Sequence, residues 1–237
     1  MTKYNNIITN VKIKHENKTK MKILMALKKY ISINYHQMLA DNPYLFHKYL
    51  HLHNNDKALV DSINNYQENV LHIACKSDMT STLIKPLIQC GCSPTKQDLQ
   101  GRTPLHVALE LRQYSCIKEF LLLFHTHMLY PKEIVDRLKH MFQIYNRAGH
   151  TIVHEAVIRN EPDILRELLR ICQQHDINVL DNEVLGSGDT LLHLAINRKV
   201  DTEIIDIIID YLPEIVHISN YSGMLAMDGT DAESKVT

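Results

Sequence analysis

One short motif recurs four times along this 237-residue chain, and its spacing constrains the fold more than any other feature. The copies read V-L-H-I-A at 70–74, T-P-L-H-V-A at 103–108, T-I-V-H-E-A at 151–156 and T-L-L-H-L-A at 190–195. Their histidines are separated by 34, 48 and 39 residues. A period of roughly 33 residues is typical of helix–turn–helix units that bury their apolar faces only by stacking. The longer intervals indicate one repeat plus about fifteen and about six inserted residues.

The second copy is complete, and each of its positions has a physical reason. Thr103 is a good N-cap, and Pro104 fits the first helical position, where no amide hydrogen is needed. His106 lies within hydrogen-bonding reach of Thr103, and the small Ala108 lets neighbouring helices approach. This is the signature of an ankyrin repeat. The sequence therefore predicts an all-α ankyrin-repeat solenoid of stacked helix–turn–helix units with β-turn fingers.

The repeat-motif residues are expected to be structural. They are His72, Thr103, Pro104, His106, Thr151, His154, Thr190 and His193. First helices should start near Val70, Thr103, Thr151 and Thr190, and a second helix is expected at 115–124. Glycines 101, 149, 188 and 223 fall where each finger turns back, and Gly91 falls where a helix should stop. His106→Ala should cost on the order of 1–2 kcal/mol through a lost buried hydrogen bond.

These boundaries divide the chain into three parts. Residues 1–20 are polar and should form a flexible N-terminus, and 229–237 form a short polar tail. Between them, 21–228 is expected to be the ankyrin-repeat domain. It would comprise a degenerate cap or first repeat at 21–63, clear repeats starting near 64, 98, 146 and 185, and a truncated repeat from 220. The insertion after Pro131 reads as a short amphipathic helix.

Composition argues against several functional classes. The formal net charge is −1, so no global field favours nucleic acid, and no apolar run is long enough to span a bilayer. The five cysteines form no C-x-x-C pair, which favours free thiols in a reducing cytoplasm or nucleus. Among fifteen histidines, the closest pairs outside the motif are His51-x-His53 and His125-x-His127, whose i, i+2 spacing points the rings apart on a helix. We therefore expect no metal, no cofactor and no enzymatic activity.

The first thirty residues carry lysines at 3, 12, 14, 18, 20, 22, 28 and 29 against a single acidic residue, Glu16. One interpretation is nuclear import or contact with DNA phosphates. The other is a solvated tail and the polar face of a cap helix. Because the lysines are dispersed, the second interpretation is favoured.

The order of repeats and insertions resembles the ankyrin domain of I-kappa-B inhibitors, over residues 87–226. The resemblance rests on C-G-C-S-P at 90–94, D-L-Q-G-R-T-P-L-H at 98–106, N-R-A-G-H-T at 146–151, and a long finger before G-D-T-L-L-H-L-A at 188–195. Cactus-like insect proteins and viral ankyrin (vankyrin) proteins are similar types. The resemblance implies a Rel/NF-kappa-B-type partner, a cytoplasmic or nuclear location, a monomer when alone, and a role in suppressing immune signalling.

Two elements of the regulated inhibitors are missing from this sequence. Their D-S-G-x-x-S degradation signal has no counterpart, because Asp61-Ser62 is followed by Ile63. A long acidic, proline-rich tail is also missing. The resemblance then implies an inhibitor that acts constitutively, as a viral antagonist in host–virus interaction would. A nuclear I-kappa-B-like cofactor and a generic ankyrin adaptor stay open as alternatives, although the short tail leaves little room for an adaptor's C-terminal box.

Finger tips are the expected contact sites, because the repeat architecture fixes the scaffold and leaves the tips for partners. The candidate partner-binding residues are Gln97, Gln100, Arg102, Asn146, Arg147, His150, Asn182 and Glu183.

Overall fold

The computed structural model describes residues 34–52, 56–126 and 130–229. Within these ranges regular structure is helical, apart from one isolated β-bridge between Ser219 and Leu225. The α-helices in chain order are α1 (Tyr35–Asp41), α2 (Pro43–Leu52), α3 (Lys57–Val60), α4 (Val70–Ala74), α5 (Ile84–Gln89), α6 (Pro104–Glu110), α7 (Tyr114–His125), α8 (Lys132–His140), α9 (Ile152–Ile158), α10 (Pro162–Gln174), α11 (Leu191–Arg198) and α12 (Thr202–Tyr211).

Helices α4, α6, α9 and α11 are the first helices of successive repeats, and the predicted starts are confirmed. Each begins at or one residue after the predicted position. Thr103 caps α6, because its hydroxyl oxygen accepts the His106 amide at 3.5 Å and the His106 ring accepts the Thr103 amide at 3.2 Å, and Pro104 is the first helical residue, as expected. A capping box of this kind satisfies amide hydrogens that the helix start leaves unpaired.

Second helices α5, α7, α10 and α12 pack behind the first ones, and consecutive repeats stack through both layers. The motif alanines 74, 108, 156 and 195 are fully buried, which lets neighbouring helices approach closely. Helix α7 extends one residue beyond each predicted end and buries Ile117, Phe120, Leu121 and Phe124, the stripe expected from the sequence. The all-α ankyrin solenoid is therefore confirmed.

The first insertion folds back onto the stack. Helix α8 follows Pro131, as the amphipathic pattern predicted, and it buries Leu138. A single turn of 3-10 helix after it buries Met141 and Phe142, and the Phe142 ring meets Phe124 edge-on at 5.5 Å between centroids. The insertion thus extends the core of the repeat that precedes it.

Helices α1 and α2 cover the N-terminal end of the described stack. The Tyr35 hydroxyl donates to the Asp56 carboxylate at 2.8 Å, and the Tyr49 hydroxyl donates to the same oxygen. Burial is the main cause that raises the pKa of Tyr35 to about 12, so both hydroxyls remain donors at neutral pH. His36 Nε2 donates to the Glu68 carbonyl at 2.8 Å. The cap is thereby attached to the first finger of the stack.

Three first helices end on residues with left-handed backbone. Arg112, Asn160 and Lys199 have φ of 54°, 57° and 52°, and each lies six residues after a motif histidine. This conformation is costly for any residue with a Cβ and favours glycine. Asn160 tolerates this conformation well, whereas on Arg112 and Lys199 the repeat geometry imposes a conformation that their side chains do not favour.

All five cysteines are free, and all but Cys90 are buried. Burial raises the pKa of Cys92, Cys116 and Cys172 to about 12, so these thiols stay protonated and poorly nucleophilic.

Among the described helices, none is both long enough and apolar enough to cross a bilayer. Several predictions concern residues outside the described ranges. These are the N-terminus 1–20, the part of the cap before residue 34, the eight N-terminal lysines, His53, His127 and the tail from 230.

Candidate interaction surface

Four of the five described fingers are short hairpins shaped by one Asn or Asp side chain. Asp98 Oδ1 accepts the amides of Gln100 and Arg102 at 2.8 and 2.9 Å. Residues 64, 146 and 220 make the same pair of bonds in their own fingers. Short polar side chains close turns in this way because they reach the backbone two residues on. Glycines 101, 149 and 223 have positive φ at the predicted turn positions.

Backbone hydrogen bonds join successive fingers into one continuous edge. In every case the amide of the second residue of a finger donates to a carbonyl of the preceding finger. The four links are Leu99 to Tyr66 (3.0 Å), Arg147 to Gln100 (2.8 Å), Leu185 to Gly149 (3.3 Å) and Tyr221 to Ser187 (3.1 Å). Side chains at these link positions therefore recur in the same register along the stack.

Motif histidines form a second connection between repeats. In each copy Nδ1 lies at the helix start, where it accepts the N-cap amide, as the Thr103 amide does for His106 at 3.2 Å. In three copies Nε2 donates to a backbone carbonyl of the next finger. The bonds run from His72 to Arg102 (3.0 Å), from His106 to His150 (3.2 Å) and from His193 to Met224 (2.8 Å). Burial lowers the pKa of His106 to about 4, which keeps the ring neutral with one donor and one acceptor.

The histidine of the third copy breaks this series. His154 is fully buried, and its Nε2 makes no hydrogen bond within normal distance and angle limits among the described residues; the Asn182 backbone acts on its pKa only as the last and weakest of the contributing groups. The finger that follows is one residue longer than the others, since its closing bond runs from the Val184 amide to the Asp189 carbonyl at 2.8 Å. Burial, with the charge of His150 as a second cause, lowers the pKa of His154 to about 3. The lengthened finger expected from the sequence thus leaves one buried nitrogen unsatisfied.

Of the predicted tip residues in the second finger, only the glutamines are exposed. Gln97 donates its amide to the carbonyls of Gly101 and Tyr145 at 2.8 and 2.9 Å, so it bridges two fingers. Arg102 is half-buried and pairs with Asp98 at 2.7 Å and with Glu110. Burial works to raise the pKa of Asp98, but the hydrogen bonds from Arg102 hold it below its usual range. Arg102 is therefore neutralised within its own repeat.

The third finger contains a buried carboxylate. Glu155 accepts the Asn146 side-chain amide at 3.0 Å and lies 3.5 Å from Nδ1 of His150. Arg159 approaches its other oxygen at 3.3 Å. Burial acts to raise the pKa of Glu155, yet these neighbours keep it below its ordinary value. Asn146 and His150 therefore serve the finger itself, whereas Arg147 is exposed and forms no ion pair within the described chain.

Asn182 and Glu183 differ from each other. Asn182 is buried and donates its amide to the Phe142 carbonyl at 3.1 Å, so the prediction that it lies at a finger tip is wrong. This hydrogen bond ties the fourth finger to the first insertion and satisfies a donor that would otherwise be buried without a partner. Glu183 is half-buried, and its hydrogen bond raises the pKa of Tyr221. For the predicted tip residues other than Asn182, contact with a partner stays a prediction.

Sequence reasoning missed the apolar side chains on the same fingers. Tyr66, Leu99, Leu185 and Tyr221 are 64%, 39%, 59% and 70% exposed. The signal was available in part, because Leu99 and Tyr221 directly follow the Asn or Asp that shapes their fingers.

Within the described residues no group of three or more His, Cys, Asp or Glu side chains could hold a metal ion.

Comparisons with known proteins agree with this architecture. The family described as ankyrin repeats (3 copies) matches residues 36–128. The chain is 27% identical over 185 residues to the nuclear factor NF-kappa-B p110 subunit of Drosophila melanogaster, covering 68% of this chain and 19% of that protein. It is 30% identical over 116 residues to NF-kappa-B inhibitor alpha of Rattus norvegicus, covering 49% and 34%. The chain thus spans about a third or less of these relatives.

A solved structure with the same fold is the ankyrin repeat domain of Bcl-3, described as a unique member of the IkappaB protein family. It superposes with a TM-score of 0.67 at 21% identity, over 85% of this chain and 81% of that one. The chain therefore has the ankyrin-repeat fold. Its sequence is similar to that of I-kappa-B and NF-kappa-B proteins.

Proposed function

We propose that this protein binds a Rel/NF-kappa-B-type transcription factor and blocks its nuclear import and its binding to DNA. The observation that carries the proposal is the sequence similarity to the p110 subunit and to inhibitor alpha, which covers 68% and 49% of this chain. The continuous finger edge offers a surface on which a partner domain can rest. The action is steric and needs no cofactor or catalysis, and the protein would work in the cytoplasm or the nucleus.

A rigid stack suits this role for an energetic reason. The fingers are held by their own Asn and Asp side chains and by the inter-finger backbone bonds. Because these loops are already ordered, binding does not have to fix them, and less interaction free energy is lost to conformational entropy. A stable complex requires roughly 800 Å² of surface from each partner, which several adjacent fingers can supply.

The inhibition is proposed to be constitutive. The 237 residues contain no D-S-G-x-x-S element. Their single Asp-Ser pair continues into Ile63, and the Ser62 hydroxyl donates to the Leu59 carbonyl at 2.7 Å. A ligase that reads two phosphates at a fixed spacing would find no matching site in this sequence. The complex should therefore persist under conditions that destroy regulated inhibitors, which would suppress immune signalling.

A gel-shift assay tests the proposal. A purified Rel homology dimer on its DNA duplex is titrated with this protein, and we expect the shifted band to disappear. A slower-migrating ternary band would instead favour the nuclear-cofactor alternative. An unchanged band with every Rel protein tested would contradict the proposal and leave a generic scaffold. Leu168→Asp, which places a charge at a fully buried position of α10, serves as the control for a disrupted stack.

A further inference from the structure

The finger edge carries a row of side chains that the proposed function does not explain by itself. We define the finger row as Tyr66, Leu99, Arg147, Leu185 and Tyr221. The last four occupy the link positions of consecutive fingers, and Tyr66 supplies the carbonyl that accepts the first link. A single partner segment that crosses the fingers would therefore meet these side chains in order.

Two of these apolar side chains are held in place although they are exposed. A Cβ on Gly188 would lie 2.2 Å from the Tyr221 ring, so the ring rests directly on this glycine. Glu183 lies beside the Tyr221 hydroxyl and raises its pKa. A Cβ on Gly149 would lie 3.0 Å from the Leu185 Cβ, so Leu185 packs closely on the third finger. Pre-ordered aromatic and aliphatic groups bind with little further loss of entropy.

The middle of the row is basic, and its charge is uncompensated. Arg147 is exposed and has no ion-pair partner within the described residues. Arg102, on the neighbouring finger, is instead paired with Asp98 and Glu110. An arginine guanidinium binds a carboxylate through two parallel hydrogen bonds. The row therefore fits one acidic group at its centre and apolar groups at both ends.

We infer that the finger row docks an extended segment of the Rel-type partner in which one acidic side chain is flanked on both sides by apolar side chains. The acidic side chain pairs with Arg147. Apolar side chains on one side contact Tyr66 and Leu99, and those on the other side contact Leu185 and Tyr221. This inference rests on the proposed function, and it replaces the mainly polar tips that the sequence favoured as the main contact.

Binding of DNA-free Rel dimer to finger-row variants tests the inference. Arg147→Glu and the double variant Leu99→Ser/Leu185→Ser are compared with the native chain by calorimetry. Each variant is expected to weaken binding by at least about tenfold. The control for charge is Lys118→Glu on the outer helix α7, and the control for apolar surface is Met79→Ser, which is 86% exposed away from the fingers. Both controls should stay within about twofold of the native chain. Arg147→Glu and the two controls should keep the native melting temperature because those side chains are exposed, and Leu99→Ser/Leu185→Ser, whose Leu185 packs on Gly149, should lower it by no more than about 4 °C.

The outcomes separate the two proposals. If the native chain binds and the finger-row variants bind equally well, the inference is wrong and the proposed function stands. If only the apolar variant weakens binding, the acidic centre is wrong. If the native chain binds no Rel dimer, the proposed function fails and the inference fails with it. A photo-crosslinker at position 147 should label a partner peptide with an acidic residue among apolar ones, and labelling of a basic peptide would overturn the inference.

Discussion

Replacing motif histidines one at a time measures what the inter-repeat bond contributes to stability. His106 makes two buried interactions: the Thr103 hydroxyl and amide, at 2.8 and 3.2 Å, share the one acceptor lone pair of Nδ1, and Nε2 donates to the His150 carbonyl at 3.2 Å. Each interaction contributes about 1 kcal/mol, so His106→Ala should cost about 2 kcal/mol. This is the upper end of the 1–2 kcal/mol expected from the sequence, because the sequence showed only the interaction at the helix start.

His154 provides the internal comparison. Its Nδ1 accepts from Thr151 in the same way, with the amide at 3.1 Å and the hydroxyl at 2.9 Å, but its Nε2 lacks a well-formed hydrogen bond. His154→Ala should therefore cost about 1 kcal/mol or less, since removal of a poorly paired buried donor carries little bond loss and relieves a desolvation penalty. The expected difference between the two variants is at least about 1 kcal/mol.

Urea unfolding followed by circular dichroism and by tyrosine fluorescence gives the two free energies. Coincident transitions are required, because long repeat arrays can lose two-state behaviour. If they separate, amide hydrogen exchange at the neighbouring fingers gives the local free energies instead. His140→Ala, at an exposed position on α8, should change stability by no more than about 0.5 kcal/mol. Equal costs for His106→Ala and His154→Ala, or a larger cost for His154→Ala, would refute the role given to the Nε2 bond.

Three further predictions follow from the same structure. The pKa of His106 and of His154 is lowered to about 4 and about 3, below the 6.5 of an exposed ring, so the unfolded chain binds more protons in this window. The free energy of unfolding should thus fall by about 3 kcal/mol between pH 6.5 and pH 5, and a flat profile in urea titrations would contradict this. Lys199→Gly should raise stability by about 0.5–1 kcal/mol by relieving the left-handed backbone, visible as a higher melting temperature, whereas Lys199→Ala should not. In a cycloheximide chase, stimulation of the pathway should leave the half-life of this chain unchanged, and shortening to the extent seen for an inhibitor with the D-S-G-x-x-S element would refute constitutive action.

The repeat fold was predictable because each copy of the motif specifies its own helix start locally. Thr103, Pro104 and His106 act within one turn, so sequence order is enough to place them. Insertions were equally visible as longer intervals between histidines. Gly91, expected to stop a helix, lies directly after the C-cap of α5 with φ of 99°. These features depend on neighbours in sequence, which a single chain displays.

The candidate surface was less predictable because it depends on contacts between repeats. The sequence predicts Asn182 at a finger tip, but its hydrogen-bond partner is the Phe142 carbonyl, 40 residues away. The sequence predicts Arg102 as a partner-binding residue, but its guanidinium is already paired with Glu110 of the same repeat. The exposed apolar tips were missed for the opposite reason, since an isolated leucine or tyrosine in a sequence is more often buried. Only the links between fingers reveal that Leu99 and Leu185 share a register.

The fourth finger departs most from the local rules, and its departures lie next to the candidate surface. Val184 stands where the other fingers have Asn or Asp, and two glycines with positive φ, 186 and 188, replace the missing side-chain bonds with backbone freedom. The extra residue leaves His154 without its inter-repeat bond, at a cost of about 1 kcal/mol or more. It also places Leu185 on the third finger and seats Tyr221 on Gly188. Local rules are most often broken at functional sites, where stability is lost for a reason other than folding. The lengthened finger is therefore best understood as the element that completes the finger row.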